Sequence, residues 1–398
     1  MTVMTTNNTD ARIDSPLRRI GIVGAGQLAR MTYQAGISLG LTVRLLAEHA
    51  GDSAARVGAD VMLGSPQALR RLTNFVAGCD VVTFDHELID TAAVAALQAS
   101  GSVFRPSSRV LALAQNKRRQ REDLATLGLP IPPFRLVHNL EEVCTFAADQ
   151  GWPIILKAAQ GGYDGRGVWL VADPAAASAV LDQAARRHLE LLVERYVSIE
   201  RELAVLVARR PGGETVVYPV VETVQVGGIC REVLAPAPIP DALRCQAQEL
   251  AAQIAAAIDV TGVLAVEIFQ SGGALLVNEL AMRPHNSGHY SIEGCVTSQF
   301  ENHLRAVADW PLGDPALVAP AVVTVNVLGA ATGADPRTNL PLALSLPDLH
   351  VHLYSKAARP GRKLGHVTVV GTNLAETRRR AQEGARLLAC GKVGEEPA

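Results

Sequence analysis

The stretch that most constrains this 398-residue chain is a short apolar strand that ends in a lysine and runs into a glycine-rich segment. The strand, Ile154–Lys157, is followed by Gly161–Gly167, in which four of the seven residues are glycine, and then by a second apolar run, Val168–Val171. This order predicts a hairpin whose loop closes over an anion, because glycines let consecutive backbone N–H groups approach phosphate oxygens. A solvent-exposed structural hairpin is the alternative, but a lysine at the end of a buried strand needs an anionic partner. The segment is not a Walker loop, since no Gly-Lys-Ser or Gly-Lys-Thr follows the glycines.

The composition indicates a soluble enzyme of two or three domains. Hydrophobic residues make up 48% and charged residues 19%, which excludes disordered and fibrous classes. The 37 basic and 39 acidic residues nearly balance, which argues against a nucleic-acid binder. The six cysteines form no C-x-x-C pair, and the polar N-terminus has neither a signal-peptide core nor a membrane span. We therefore expect a cytoplasmic protein with a disordered tail over residues 1–17.

The first ordered segment resembles a nucleotide-binding βαβ unit. Strand Arg19–Val23, the turn Gly24-Ala25-Gly26, a helix to about Leu39 and strand Thr42–Ala47 approximate a dinucleotide fingerprint. Taken alone, this pattern allows an NAD-dependent oxidoreductase, although a glycine-rich βα turn can bind any phosphate.

Further alternation of strands and helices follows this unit. Strands are predicted at Asp80–Phe84 and Gly101–Phe104, and Asp85, His86 and Glu87 follow the first of these. These three residues form either a ligand contact or a solvated loop.

A proline-rich stretch, Leu129–Pro133, marks a domain boundary. Before it, the basic run Lys117–Arg121 lies on a predicted helix, where one side chain could face a nucleotide. After it, a small module ends in the strand Leu191–Val197. With so little core the module could move as a lid, and Glu194 with the apolar residues after it could bond to an adenine edge.

Two carboxylates on a predicted hairpin give the second strong signal. Glu267 lies on Gly262–Phe269, and Glu279 follows Asn278 on Ala274–Leu280. Paired carboxylates on apolar strands indicate a hard divalent cation, and magnesium is usually shared between such groups and substrate phosphates. The alternative is a pair of edge carboxylates that meet solvent or an arginine.

Two polar clusters follow this hairpin. Arg283–Tyr290 is typical of an active-site loop, in which Arg283 can neutralise phosphoryl oxygens. Ser355–His366 presents Lys356, Arg362 and Lys363 around a Pro-Gly turn, which indicates either a second phosphate-bearing ligand or an exposed basic turn.

In this order, these features resemble the ATP-grasp superfamily of carboxylate-activating ligases. The motifs Gly24–Leu28, Gly161–Gly167, Asn278–Tyr290, Thr297–Glu301 and Arg359–His366 look more narrowly like the 5-(carboxyamino)imidazole ribonucleotide synthases of purine biosynthesis. The resemblance runs from about Arg19 to about Arg386.

The resemblance implies a reaction, its cofactors and its partners. ATP, with Mg²⁺, would phosphorylate bicarbonate to carboxyphosphate, which carboxylates the amine of 5-aminoimidazole ribonucleotide. It also implies a homodimer that passes its product to a mutase, with no nucleic-acid or membrane partner.

The resemblance also implies roles for individual residues. The residues implied for ATP are Lys117, Lys157, Gly162, Tyr163, Asp164, Gly165, Arg166, Gly167, Glu194, Arg195, Tyr196, Val197, Glu202, Asn278 and Glu279. Those implied for the ribonucleotide are Gly26, Gln27, Leu28, Glu87, Tyr163, Asp164, Arg166, Lys356, Arg362 and Lys363. Arg283, His285 and Lys356 would act on bicarbonate or carboxyphosphate, and Glu267 and Glu279 would hold the metal.

The predicted fold class is α/β and α+β, an ATP-grasp fold in four parts. These parts are the tail, a Rossmann-like pre-ATP-grasp domain at 18–128, a lid subdomain at 129–197, and a mixed C-terminal domain at 198–398 with a small terminal subdomain. Departures from the family pattern are Asn116-Lys117 in place of Asp-Arg, and Phe84–Glu87, where we expect Glu87 rather than Asp85 to contact substrate. A formate-using glycinamide ribonucleotide formyltransferase, biotin carboxylase and a catalytically inactive nucleotide-binding protein are the other candidates.

Overall fold

The computed structural model describes residues 19–161 and 167–391, which form three β-sheets flanked by helices. The first sheet is parallel, with strand order β3-β2-β1-β4. Its strands are β1 (Ile20–Val23), β2 (Val43–Ala47), β3 (Asp60–Leu63) and β4 (Val81–Phe84). Its helices are α1 (Gln27–Ser38), α2 (Leu69–Val76), α3 (Thr91–Ala99), α4 (Ser108–Gln115) and α5 (Lys117–Thr126). The predicted βαβ unit is present, whereas β3 and α2 were not predicted.

The strand predicted at Gly101–Phe104 is wrong in extent. This segment pairs with β4 only through a single bridge from Phe104 to Val82. Pro106 follows closely and has no N–H to continue the ladder.

The second sheet is small and antiparallel, with order β5-β8-β6-β7. Its strands are β5 (Phe134–Val137), β6 (Ile154–Ala158), β7 (Val168–Val171) and β8 (Leu191–Arg195), and its helices are α6 (Leu140–Gln150) and α7 (Pro174–Arg186). The predicted hairpin is confirmed, because β6 and β7 pair antiparallel with Lys157 opposite Val168. This module has a core of its own, built around Phe146, Leu156 and Val193.

The third sheet has nine strands and carries most of the remaining chain. Eight strands follow the order β14-β13-β9-β11-β12-β15-β17-β16, and β10 pairs with β9. The strands are β9 (Arg201–Arg209), β10 (Thr215–Val217), β11 (Val221–Val226), β12 (Ile229–Ala235), β13 (Gly262–Ser271), β14 (Ala274–Ala281), β15 (Ala321–Leu328), β16 (Leu349–Leu353) and β17 (Lys363–Gly371). The helices are α8 (Asp241–Ala257), α9 (Ser291–Gly294), α10 (Gln299–Val307), α11 (Leu340–Ala343) and α12 (Leu374–Cys390), with short 3₁₀ turns at Asn286–Gly288 and Pro336–Asn339. No helix within the described ranges is both long and apolar enough to cross a bilayer.

A buried histidine joins the first sheet to the third. The backbone N–H of Val263 on β13 donates to His303 Nδ1 at 3.1 Å, so the ring proton lies on Nε2 and faces Thr83 Oγ1 on β4 at 2.8 Å. Burial lowers the pKa of His303 to about 3, which keeps the ring neutral. The His303 side chain therefore links β4 of the first sheet to β13 of the third sheet, the strand that carries Glu267.

We predict that acid weakens this junction. The unfolded chain binds a proton at His303 near pH 6.5, whereas the folded chain does so only near pH 3, so this stabilisation is lost as pH falls between these values. Urea unfolding of wild type and His303→Gln should therefore differ in pH slope by up to about 1.4 kcal/mol per pH unit below pH 6. His138→Gln, at an exposed position, controls for the substitution itself. Equal slopes for wild type and His303→Gln would contradict the assignment.

Candidate active site

The lysine of the glycine-rich hairpin and the carboxylate hairpin meet in one cleft. Lys157, near the end of β6, extends its Nζ to Glu194 Oε2 on β8 at 2.8 Å and donates to Asn278 Oδ1 on β14 at 3.3 Å. Asn278 precedes Glu279, which lies opposite Glu267 on β13. The structure thus brings together the two strongest signals of the sequence, which are more than a hundred residues apart.

Glu194 is the buried centre of this convergence. Arg121 on α5 donates to both of its carboxylate oxygens, at 2.8 and 3.3 Å, and also to the Val277 carbonyl on β14 at 3.2 Å. Burial alone would raise the pKa of Glu194, but the charges of Lys157 and Arg121 outweigh it and lower the pKa to about 2. Burial lowers the pKa of Lys157, and Glu194 opposes that shift. The Glu194 carboxylate therefore anchors the Lys157 Nζ near the end of β6.

The two facing carboxylates have different partners. Glu279 Oε1 pairs with Lys117 Nζ at 2.6 Å, whereas Glu267 Oε1 lies 3.4 Å from His285 Nε2. Between the pairs Glu267–Glu279 and Ile268–Val277 the register shifts by one residue, which leaves Asn278 as a bulge that locally re-aims β14, as bulges beside active sites often do. Desolvation, and then the charge of Glu279, raise the pKa of Glu267. Burial would raise the pKa of Glu279, but the positive charge of Lys117 lowers it.

These groups fit a magnesium ion. Both carboxylates are partly exposed, 29% for Glu267 and 43% for Glu279, so their oxygens face the cleft. Desolvation, and then the charge of Glu279, raise the pKa of Glu267, and the amide oxygen of Asn278, next to Glu279, is a further hard donor. Across 19–161 and 167–391, three or more His, Cys, Asp or Glu side chains nowhere cluster as metal ligands. The donor set therefore fits a cation that shares its coordination with a nucleotide.

The loop after β14 supplies the groups expected at the reaction centre. Arg283 Nε lies 2.7 Å from Glu87 Oε1, which belongs to the segment after β4. Burial would lower the pKa of Arg283, but Glu87 raises it. The His285 ring receives the Ser287 N–H at Nδ1, at 3.3 Å, so its proton lies on Nε2 and faces Glu267. Burial and then the Arg283 charge lower the pKa of His285 to about 3, which makes it a neutral hydrogen-bond donor.

Asp85 binds the backbone N–H groups at the first βα turn. Its carboxylate accepts from the N–H groups of Gly26 and Ala29 at 2.5 and 2.7 Å. This is the position at the start of α1 that a ligand phosphate would take, and the protein's own anion fills it. The turn is therefore a poor dinucleotide site, which argues against an NAD-dependent oxidoreductase.

The first sheet and the basic turn also meet in this region. Lys356 Nζ donates to Gln27 Oε1 at 2.6 Å, and the charge of Lys363 acts on the pKa of both Glu267 and His285. The Arg362 guanidinium donates a hydrogen bond to the nearby Ala357 carbonyl at 3.2 Å. Leu28 packs with Met31, Phe300 and Tyr354, so only its backbone is available to a ligand.

The remaining predicted residues belong to the end of β8, to β9 and to the glycine-rich segment. Val197 is buried while Arg195 and Tyr196 are exposed, and burial raises the pKa of Glu202 against the charge of Lys157. The Gly167 carbonyl accepts from the Ala158 N–H and closes the base of the hairpin. Gly162, Tyr163, Asp164, Gly165 and Arg166 lie outside the described residues.

Three family models match successive parts of the chain. They are the ribonucleotide synthetase preATP-grasp domain at residues 17–115, the ATP-grasp domain at 122–300 and the phosphoribosylaminoimidazole carboxylase C-terminal domain at 322–380. The N5-carboxyaminoimidazole ribonucleotide synthase of Mycobacterium tuberculosis is 47% identical over 379 residues, which cover 94% of this chain and 88% of that protein. The chain belongs to the N5-carboxyaminoimidazole ribonucleotide synthase family.

Solved structures of this family share the whole fold. The Aspergillus clavatus synthase complexed with ATP is 35% identical with a TM-score of 0.85, over 94% of this chain and 98% of that one. The A. clavatus complex with ADP and 5-aminoimidazole ribonucleotide is 34% identical with a TM-score of 0.84, over the same shares. Like its relatives, the chain is an ATP-grasp ligase, and the predicted fold class, family and enzyme class are confirmed.

Sequence reasoning missed several residues that build this synthase site. Asn116 caps α5 by accepting from the Arg119 N–H, a role that Asn and Asp fill equally well. Arg121 was assigned only to a basic run, although its spacing of four from Lys117 puts both on one helix face. The buried Gln120 between them exchanges two hydrogen bonds with the Leu280 backbone. The spacing of Lys117, Gln120 and Arg121 could have shown that a whole face of α5 lines the site, and not a single side chain of the basic run.

We predict that Glu194→Gln destabilises the protein by about 3–5 kcal/mol, because it leaves two buried cations without their anion. Denaturant unfolding at neutral pH measures this change. Glu376→Gln is the matched control, because Glu376 pairs with Arg379 in solvent, where the loss of an ion pair changes stability little. Equal effects of the two substitutions would show that the buried cluster adds nothing to stability.

Proposed function

We propose that this synthase uses ATP and bicarbonate to carboxylate 5-aminoimidazole ribonucleotide in purine biosynthesis. The observation that carries the proposal is the convergence of Lys157, Glu267 and Glu279 beside Arg283 and His285 in one cleft. Family membership supports the choice of reaction, as does the relative whose structure contains ADP and 5-aminoimidazole ribonucleotide. Neither glycinamide ribonucleotide formylation nor biotin carboxylation has comparable support.

The nucleotide would lie between the lid and the large sheet. Lys157 and Lys117 provide positive charge for the phosphates, and the backbone after β8 provides N–H and C=O groups for the adenine edge, since the Glu194 carboxylate is already held by two cations. The residues proposed to contact ATP are Lys117, Lys157, Gly162, Tyr163, Asp164, Gly165, Arg166, Gly167, Arg195, Tyr196, Val197, Glu202, Asn278 and Glu279, and Glu194 would contribute by holding Lys157 in place. Glu267 and Glu279 would hold Mg²⁺, which neutralises phosphate charge when bound.

Bicarbonate would be activated beside these phosphates. A bicarbonate oxygen attacks the γ-phosphorus, the bond to the β-phosphate oxygen breaks, and ADP leaves as carboxyphosphate forms. Arg283 stabilises charge on the transferred group, while the neutral His285 donates its Nε2 proton as a hydrogen bond. Lys356, whose Nζ donates to Gln27, would add a further positive charge for the carboxyphosphate.

The ribonucleotide amine then attacks the carboxyl carbon of carboxyphosphate, or carbon dioxide released from it. Phosphate leaves and the nitrogen loses one proton, which gives the carboxyamino product. The groups proposed for the ribonucleotide come from the first sheet, the lid loop and the basic turn. They are Gly26, Gln27, Leu28, Glu87, Tyr163, Asp164, Arg166, Lys356, Arg362 and Lys363.

Water must be kept from carboxyphosphate, which gives the lid its purpose. We propose that residues 129–197, with their own sheet and core, close over the bound nucleotide. The boundaries near 128 and 197 separate this lid from the first and third sheets. We also propose a cytoplasmic homodimer that passes its labile product to a mutase, and the six unpaired cysteines suit a reducing compartment.

The decisive assay measures ADP release by the purified enzyme with ATP, Mg²⁺ and bicarbonate. We expect 5-aminoimidazole ribonucleotide to stimulate ADP release and to be consumed in equal amount. Glycinamide ribonucleotide with formate, and biotin with bicarbonate, should give no stimulation. Lack of stimulation by 5-aminoimidazole ribonucleotide would overturn the proposal.

We predict a specific result for the position where this chain has lysine instead of the usual arginine. Lys117→Met should raise the KM for ATP by about 10- to 100-fold, because it removes a charge-assisted hydrogen bond worth about 1.5–3 kcal/mol. Lys117→Arg should stay within about threefold of wild type, since it keeps the charge next to Glu279. A Lys117→Met enzyme with an unchanged KM would show that Lys117 serves only Glu279.

A further inference from the structure

One buried side chain holds both backbone polar groups of His285. The His285 N–H donates to Gln299 Oε1, and Gln299 Nε2 donates to the His285 carbonyl, each at 2.8 Å. Gln299 opens α10, is fully buried, and makes a third bond from Nε2 to His289 Nδ1 at 3.3 Å. The side-chain amide of Gln299 therefore fixes both the N–H and the carbonyl group of His285.

Two further residues of this region, Gly288 and Ser291, also contact Gln299. The Gln299 N–H donates to Ser291 Oγ at 2.9 Å, and that hydroxyl donates to the Gly288 carbonyl at 2.6 Å. A Cβ at Gly288 would lie 2.6 Å from Gln299 Cδ, so the close approach requires glycine. The titratable groups that face the amide are His285 and His289, while Glu301 and Arg305 on its own helix pair with each other.

The side-chain amides of two other glutamines, Gln115 and Gln120, also bind backbone groups of segments that line the site. Gln115 donates to the carbonyls of Glu87 and Ile89, and Gln120 exchanges two bonds with Leu280, beside Glu279. Gln115 thus holds Glu87, which is proposed to bind the ribonucleotide, whereas Gln299 holds both backbone polar groups of His285, which is proposed to act on bicarbonate or carboxyphosphate.

We propose that Gln299 is a positioning residue for carboxyl transfer: its amide sets where His285 Nε2 points, opposite Glu267. The inference rests on the role proposed above for His285. Gln299 touches no substrate, and it acts by fixing the backbone that carries the imidazole.

The isosteric variant Gln299→Glu separates positioning from packing. An ionised glutamate keeps the acceptor for the His285 N–H but loses the donor to the His285 carbonyl. A protonated glutamic acid restores one O–H donor, and burial among apolar groups favours that neutral form. Gln299→Met keeps approximately the same volume and has no such donor at any pH.

We expect Gln299→Glu at pH 8.5 to lower kcat by about 10- to 100-fold. Its KM for ATP should change by less than about threefold, because the nucleotide groups lie on other elements. ADP release should exceed product formation, since a displaced His285 lets carboxyphosphate escape to water. Relative to wild type, the variant should recover as pH falls towards 6, whereas Gln299→Met should be impaired equally at both pH values.

Three comparisons complete the test. Gln248→Glu, which replaces a glutamine that makes one bond to the Tyr218 carbonyl, should retain wild-type kcat and coupling. Parallel pH-independent losses in Gln299→Glu and Gln299→Met, with product still matching ADP and with equally lowered thermal midpoints, would overturn the proposal in favour of a purely structural role. Wild-type turnover by His285→Asn would instead refute the role of His285, whereas an inactive His285→Asn beside a fully active Gln299→Glu would refute this inference alone.

Discussion

The buried Glu194 carboxylate is the interaction on which the architecture of the cleft depends. It joins Arg121 of α5 to Lys157 of β6, and these two cations in turn bond to Val277 and Asn278 of β14. Helix α5, the second sheet and the third sheet therefore meet at one anion. Burying three charged groups is unfavourable unless each is paired and hydrogen-bonded, so the cluster is stable only in this arrangement.

The carboxylate ladder next to this cluster shows how environment separates two identical groups. Glu279 has a cation at 2.6 Å, while Glu267 faces a neutral imidazole and a second carboxylate. Desolvation consequently raises the pKa of Glu267, and Lys117 lowers that of Glu279. The unbalanced negative charge lies where a divalent cation and nucleotide phosphates would complete it.

Local patterns in the sequence predicted the parts of this site that each element carries by itself. The lysine-ended strand and the two facing carboxylates are each readable from spacing and polarity within a single hairpin, β6–β7 for the lysine and β13–β14 for the carboxylates. Contacts between distant elements were not readable in this way. Asp85 filling the helix terminus at Gly26, His303 joining Thr83 to Val263, and Gln299 gripping His285 each depend on tertiary placement. The strand β3 has only four residues and no buried face, whereas helix α2 does carry an apolar face, Leu72, Phe75 and Val76, that was overlooked in the sequence.

The central claim is that Lys157 and the Glu267–Glu279 pair serve one magnesium nucleotide. Calorimetric titration with a non-hydrolysable ATP analogue, with and without Mg²⁺, tests it most directly. The account predicts that Mg²⁺ tightens binding to wild type, that Lys157→Met weakens binding in both conditions, and that the effect of Mg²⁺ disappears when both glutamates are changed to glutamine. Unchanged affinity in Lys157→Met, or a persistent effect of Mg²⁺ in the double variant, would contradict it.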